Sequence, residues 1–221
     1  AASLIKQGSV EVNGRICTRA SFAVDENDNI RIIGEMPKYV GRGGMKLEKA
    51  LSHYRLHLDG SVCIDIGAST GGFTDCMLQN GAVKVYSVDV GTDQLDEKLR
   101  NDPRVVSMEK TDIRNCVGSL PAVDFIGIDV SFISLKLVLP SAYALLKNGG
   151  ECVALIKPQF EAGKSYLSKH GIVRDSKVHK KVCDDISEFA STLGFERGEV
   201  ISSPITGGDG NTEYLIYLRR L

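Results

Sequence analysis

The sequence predicts an α/β protein with a mostly parallel sheet covered on both faces, an antiparallel last strand, and a small α+β piece in front. Two observations carry this. From Met45 onward, apolar runs of strand length alternate with segments of helical periodicity, as in strands joined by crossover helices. Before residue 34 the chain offers only short runs around an Asn13-Gly14 turn, too little to bury a core alone.

Taken in order, Ala1–Lys6 reads as the end of a helix stopped by Gly8, and Ser9–Val12 and Asn29–Ile33 read as short strands. Gly34–Gly44 carries four glycines and a proline and reads as a linker, so the expected divisions are 1–33, 34–44 and 45–221. Met45–Leu56 spaces Met45, Leu47, Ala50, Leu51 and Tyr54 as a helix does. Strands are expected at Ser61–Ile66, Val83–Val90, Val105–Glu109 and Asp124–Val130, with helices at Gly71–Gln79 and Gln94–Asn101. A helix over Leu135–Leu146 is stopped by Asn148-Gly149-Gly150. A strand at Glu151–Ile156, a helix at His179–Leu193, and strands at Gly198–Ser203 and Tyr214–Arg219 complete the series.

Composition narrows the function classes. A length of 221 residues suits one ordinary domain plus a small appendage. With a net charge of −1, any nucleic-acid contact must come from a local basic patch. No apolar run approaches the ~18 residues needed to cross a bilayer and no secretory signal is visible, so a cytoplasmic protein without membrane insertion is expected. None of the six cysteines sits in a C-x-x-C pair, so the expectation is free thiols and no metal site.

The sharpest local signal is Val62-Cys63-Ile64-Asp65-Ile66-Gly67-Ala68-Ser69-Thr70-Gly71-Gly72, an apolar strand running into a glycine-rich loop and a helix. Such a loop lets backbone approach a ligand closely. It is not the dinucleotide G-x-G-x-x-G, because Ser69 stands at the second glycine. Asp65 would repel a pyrophosphate and suits a cationic ligand such as the amino end of S-adenosylmethionine. Asp89, ending the next strand, can accept both hydroxyls of a ribose, and Asp112, after the third strand, can accept from an adenine amine. Each acid alone also reads as a helix cap. The expected cofactor-binding set is Asp65, Gly67, Ala68, Ser69, Gly71, Gly72, Phe73, Asp89, Val90, Asp112, Ile113 and Asp129.

A second constellation gathers on the same rim. Asp129 and Lys157 exit apolar strands, where open α/β sheets bind ligands. Glu213 opens the final strand, and an antiparallel course would bring its start to that edge. Lys46 opens the helix leading into the first strand of the sheet, though by itself it also reads as a solvated helix lysine. A lysine whose pKa is lowered by burial and a second cation can take a proton from a poor nucleophile such as a ribose 2′-hydroxyl, with carboxylates orienting both. Lys38, Arg42, Lys46 and Lys49 form a local basic run suited to RNA phosphates, or to a solvated linker.

Four segments together resemble one family. They are Gly67–Asp75 (GASTGGFTD), Asp129–Leu135 (DVSFISL), Ile156–Glu161 (IKPQFE) and Gly207–Glu213 (GGDGNTE). They are similar to the TlyA/hemolysin A family, which carries an FtsJ-like methyltransferase domain, and the match runs from about Lys38 to the end. The resemblance implies a Rossmann-like class I methyltransferase fold. It also implies a Lys-Asp-Lys-Glu tetrad at Lys46, Asp129, Lys157 and Glu213, S-adenosylmethionine as cofactor, ribosomal RNA or ribosomal subunits as partner, and a cytidine ribose as target. Ala2–Gly14 resembles the second half of the RNA-binding domain named for the fourth small-subunit ribosomal protein. Three rival readings remain: an RNA- or ribosome-binding protein without catalysis, a membrane-active hemolysin, and a nicotinamide oxidoreductase, the last opposed by Asp65 and Ser69.

Overall fold

The computed structural model describes residues 5, 8–34 and 37–221. They divide into two compact units, Ala1–Lys38 and Tyr39–Leu221. The helix expected at Ala1–Lys6 lies, Ile5 apart, outside the described residues.

In the smaller unit β1 (Val10–Val12), β2 (Arg15–Ile16) and β3 (Ile30–Ile32) form an antiparallel sheet in the order β2-β1-β3. Asn13 and Gly14 take φ of 50° and 79°, the paired positive values of a tight hairpin turn. That turn closes onto β2, a strand too short to stand out in the sequence. β3 lies instead on the other edge of β1, tied there by the Asn13 side chain, which donates to Asp28 (2.6 Å) and accepts from the Asn29 amide (2.8 Å).

The larger unit is a seven-stranded sheet in the order β6-β5-β4-β7-β8-β10-β9. Its strands are β4 (Val62–Ile66), β5 (Lys84–Val88), β6 (Val105–Met108), β7 (Val123–Ile128), β8 (Leu146–Ile156), β9 (Phe195–Ser202) and β10 (Tyr214–Arg220). Neighbours from β6 to β8 pair in parallel, and β10 runs antiparallel between β8 and β9, as expected. The helices are α1 (Gly43–Tyr54), α2 (Gly72–Gln79), α3 (Glu97–Arg100), α4 (Leu135–Leu145), α5 (Pro158–Glu161) and α6 (Ser176–Thr192). Strand alternation splits the core. Ile64, Ile126, Ala154 and Ile216 pack against α4 and α6, whereas Cys63, Phe125, Val153 and Leu215 pack against α1 and α2.

Several boundaries differ from expectation for physical reasons. Tyr39–Gly44, read as linker, lies inside the larger unit; Tyr39 is buried, and a Cβ on Gly44 would collide with its ring. The glycine pair therefore serves close packing and α1 starts at Gly43. The helix expected at Gln94–Asn101 is only α3, because Asp96 caps it by accepting from the Lys98 amide. α6 starts three residues before His179, where Asp175 accepts from the Lys177 amide (2.8 Å). Asn148-Gly149-Gly150 does not separate α4 from a strand: β8 begins directly at Leu146, and its register against β7 shifts there. β5 and β7 stop at Val88 and Ile128, so Asp89 and Asp129 stand just beyond strand ends.

Candidate active site

The strand order reverses about β4, with β5 and β6 on one side and β7 and β8 on the other, so the carboxyl ends of β4, β5 and β7 flank a crevice. A cavity of about 440 Å³ lies there. Among its lining residues are Gly67, Ser69, Asp89, Val90, Asp112, Ile113 and Asp129. A second cavity of about 230 Å³ shares Gly67, Ser69 and Asp129 with it and adds Ala68, Gly72, Phe73 and Lys157. A third, of about 210 Å³, shares Lys157 and Ser131 with the second and reaches Arg42, Lys46, Phe132, Phe160 and Glu213. The three adjoin as one trough beyond the strand ends, with Ser131 lining all of them and Phe132 lining both the first and the third.

At its first end the chain turns on Gly67, whose φ is +86° and where a Cβ would sit 2.6 Å from the Asp129 carbonyl oxygen. Only glycine meets both conditions without strain. Asp89 accepts from the Ser69 amide (2.8 Å) through one oxygen and from the Gly91 amide (2.7 Å) through the other, which fixes the carboxylate toward the cavity with lone pairs to spare. Asp112 takes the Arg114 guanidinium (2.6 Å) and the Arg114 amide (3.0 Å); the guanidinium beside it holds its carboxyl below the usual range.

Asp65 and Gly71 line none of these cavities. Gly71 leads into α2 with a φ of +95°. Asp65 is fully buried beneath the loop, its Oδ2 accepting from the Thr74 amide (2.9 Å) and hydroxyl (2.7 Å). Its Oδ1 has no hydrogen-bond partner. Burial pushes this carboxyl up to about 7, against the lowering effect of the two Thr74 bonds and with help from Asp129 and Asp89. Asp65 thus stands behind the glycine loop and faces no cavity, so it can bear on a cation bound at the loop only through its charge.

At the middle of the trough the expected tetrad comes together. Lys157 Nζ lies 2.6 Å from Asp129 Oδ1 and donates to Ser131 Oγ (2.9 Å). Lys46 Nζ lies 2.7 Å from Glu213 Oε2 and 3.5 Å from Asp129 Oδ2. Asp129 thus bridges the two amines. Lys46 is 7% exposed, so it is not a solvated helix lysine and does not belong to an RNA-facing surface stripe. Arg42 and Lys49 are exposed, Arg42 donating to the Thr206 carbonyl (2.5 Å) at the third cavity. Lys38, also exposed, ends the smaller unit. Glu161 does not pair with Lys157; it accepts from Ser134 Oγ (2.6 Å) and the Leu135 amide (2.7 Å), holding the start of α4.

Four participants escaped the sequence reading: Ser131, Thr74, Phe132 and Phe160. Ser131 follows Asp129 by two positions, a spacing that could have marked it. Phe132 holds a φ of +64°, rare for an aromatic residue, and its ring is 91% exposed with its centroid 5.1 Å from that of Phe160. Nothing in its sequence neighbourhood announces that conformation. All six cysteines are free thiols, five of them buried. No helix among the described residues is long and apolar enough to cross a membrane.

The chain is similar to known proteins in sequence and fold. Residues 1–30 match the S4 domain family, and residues 39–220 match the FtsJ-like methyltransferase family. A Bacillus subtilis protein provisionally named as an rRNA methyltransferase, YqxC, is 47% identical, covering 97% of this chain and 77% of its own. The Mycobacterium tuberculosis protein named 16S/23S rRNA (cytidine-2′-O)-methyltransferase TlyA is 37% identical, covering 99% of this chain and 83% of its own. A solved Streptococcus thermophilus protein, provisionally described as a hemolysin, is 46% identical with a TM-score of 0.84, over 99% of this chain and 81% of that one. This chain belongs to the FtsJ-like methyltransferase family.

Proposed function

We propose that this protein transfers the methyl group of S-adenosylmethionine to a ribose 2′-hydroxyl of ribosomal RNA, at a cytidine, on ribosomal subunits in the cytoplasm. The observation that carries this reading is the Lys46–Glu213, Lys157–Asp129 quartet, set beside a nucleoside-sized cavity, with the exposed Phe132 ring lining both that cavity and the one that holds Lys46, Phe160 and Glu213. The names of the relatives supply the substrate class, and the S4 match agrees with it.

S-adenosylmethionine supplies an electrophilic methyl on a sulfonium. Asp89 would hold the ribose side of the cofactor at the first cavity, Ile113, Val90 and Asp112 would flank its base, and Asp65 would supply counter-charge for its amino end from behind the loop. Phe132 and Phe160 offer stacking faces to the acceptor nucleotide; such contacts contribute roughly 1–3 kcal/mol per base. The acceptor hydroxyl enters between Lys157 and Lys46. With Lys157 as the free amine, the hydroxyl proton would pass to it as the ribose oxygen bonds the methyl carbon and the carbon–sulfur bond breaks, leaving the neutral thioether S-adenosylhomocysteine, while Asp129 and Ser131 keep that amine in place. Glu213 anchors Lys46, whose charge steadies the oxygen as negative charge builds on it.

Single-turnover methyl transfer by Lys157 variants tests this assignment. Lys157→Ala is expected to lose about 10²–10⁴-fold in rate with cofactor affinity intact. Lys157→Arg is expected not to rescue, since a guanidinium cannot accept a proton. An active arginine variant would overturn the base role and leave Lys157 as an electrostatic clamp.

A further inference from the structure

Glu213 stands at the end of a long excursion. Between β9 and β10 the chain runs through Ser203–Thr212 without regular structure. Within the loop the Gly207 amide donates to the Asn211 carbonyl (2.9 Å) and the Gly210 amide to the Gly207 carbonyl (3.0 Å), Arg42 donates to the Thr206 carbonyl, and the Ser203 amide donates to the Glu213 carbonyl (2.9 Å). These bonds hold backbone; the Glu213 side chain is buried against Lys46, and its setting also depends on how the preceding loop is held.

Two residues before Glu213, the Asn211 side chain is 1% exposed and uses both ends of its carboxamide. Its Oδ1 accepts from the Val173 amide (3.1 Å) and its Nδ2 donates to the Gly171 carbonyl (3.1 Å). This imitates a rung of β-sheet between the loop and the segment 168–173, itself folded into a turn by Ser168, whose carbonyl and hydroxyl accept from the Gly171 and Ile172 amides. The other side of the Val173 peptide is also held: His179 Nε2 lies 2.8 Å from its carbonyl oxygen, and His179 Nδ1 lies 2.8 Å from the Tyr214 hydroxyl. A carbonyl only accepts, so Nε2 carries the proton and Nδ1 accepts from Tyr214. Gly171, Val173, His179, Asn211 and Tyr214 therefore form one satisfied network that holds the chain on both sides of Glu213, two residues before it and one after. Burying a carboxamide costs free energy unless its hydrogen bonds are made, so the network has essentially one arrangement.

We infer that Asn211 is a positioning residue for the reaction: by clamping the loop to segment 168–173 it sets Glu213 against Lys46. It touches neither amine of the tetrad and acts only through Glu213. The inference rests on the role proposed above for Glu213.

A double-mutant cycle in kcat tests it, with Asn211→Ala, Glu213→Gln and the double variant assayed on ribosomal RNA well below their unfolding temperatures. Asn211→Asp is carried in parallel as a near-isosteric change that keeps an acceptor for Val173 but sets a carboxylate oxygen against the Gly171 carbonyl. Misplacing a catalytic group by about 1 Å can cost on the order of 10²-fold, so Asn211→Ala and Asn211→Asp are each expected to lower kcat by at least tenfold. S-adenosylmethionine affinity by calorimetry is expected to stay within about twofold. If Asn211 acts through Glu213, its loss adds nothing further in the Glu213→Gln background. Multiplying losses in the double variant would overturn the inference, because a scaffold role acts in either background. So would an unchanged kcat in both Asn211 variants. A Glu213→Gln protein as fast as wild type would instead overturn the role of Glu213 itself, and the inference with it.

Discussion

Asp65 shows how one atom's surroundings become a measurable property. Its folded pKa of about 7 stands above the usual carboxylate value near 4, because burial penalises the ion. The folded ligand-free protein therefore holds this proton where the unfolded chain has released it. That contribution to stability is present below about pH 4 and is lost as pH rises through about 7. The opposite sign applies to cofactor affinity: a cationic amine needs the ionised form, so binding should tighten as pH rises through that range. Calorimetry is expected to give a Kd for S-adenosylmethionine roughly tenfold weaker at pH 6 than at pH 8, and Asp65→Asn is expected to abolish the difference. A pH-independent Kd in the wild type would remove Asp65 from the cofactor's field. Phe132 is a second residue-scale case. Its strained φ holds the ring out over the trough, and Phe132→Ala is expected to raise the KM for RNA about tenfold with kcat largely preserved. A drop in kcat alone would place the ring in the chemistry instead.

At the scale of elements, strand parity explains why the tetrad was legible. Residues 125, 127 and 129 along β7, 153, 155 and 157 along β8, and 215 and 213 along β10 all point toward the α1 face, and Lys46 comes down from α1 itself. The Tyr214–Ile156 pairing continued by one step sets Glu213 opposite Lys157. Apolar strands ending in Asp129 and Lys157, plus an antiparallel last strand, were enough to foresee that meeting. Partners that depend on tertiary approach were not foreseeable. Thr74 reaches Asp65 from α2, and Asn211 reaches Val173 across 38 residues. The glycines misled for the same reason: Gly43-Gly44 looked like a linker and proved to be a contact with Tyr39. The β4–α2 turn is the element most sensitive to change. Gly67→Ala adds a Cβ against the Asp129 backbone in a left-handed conformation, and is expected to destabilise the protein by about 1–3 kcal/mol. Thermal unfolding with unchanged Tm would show that the turn can relax at no cost.

For the whole molecule, a net charge of −1 means that RNA must be attracted locally. Arg42, exposed at the third cavity, and Lys49, exposed one turn along α1 from Lys46, are the cations we propose for this. RNA affinity should fall as salt is added, and Arg42→Ala and Lys49→Ala should each flatten the slope of log K against log salt by up to about 0.7–0.9. An affinity indifferent to salt would contradict phosphate contact. The central claim is methyl transfer to a ribose oxygen of ribosomal RNA. Its most direct measurement is mapping of 2′-O-methylation, nucleotide by nucleotide, on unmodified ribosomal subunits incubated with S-adenosylmethionine and either the wild-type protein or Lys157→Ala. The expected result is a new 2′-O-methyl mark at a cytidine with the wild type, and none with a Lys157→Ala protein that still binds cofactor. A methyl on a base rather than a ribose, a mark that survives in Lys157→Ala, or no mark at all with the wild type would contradict it.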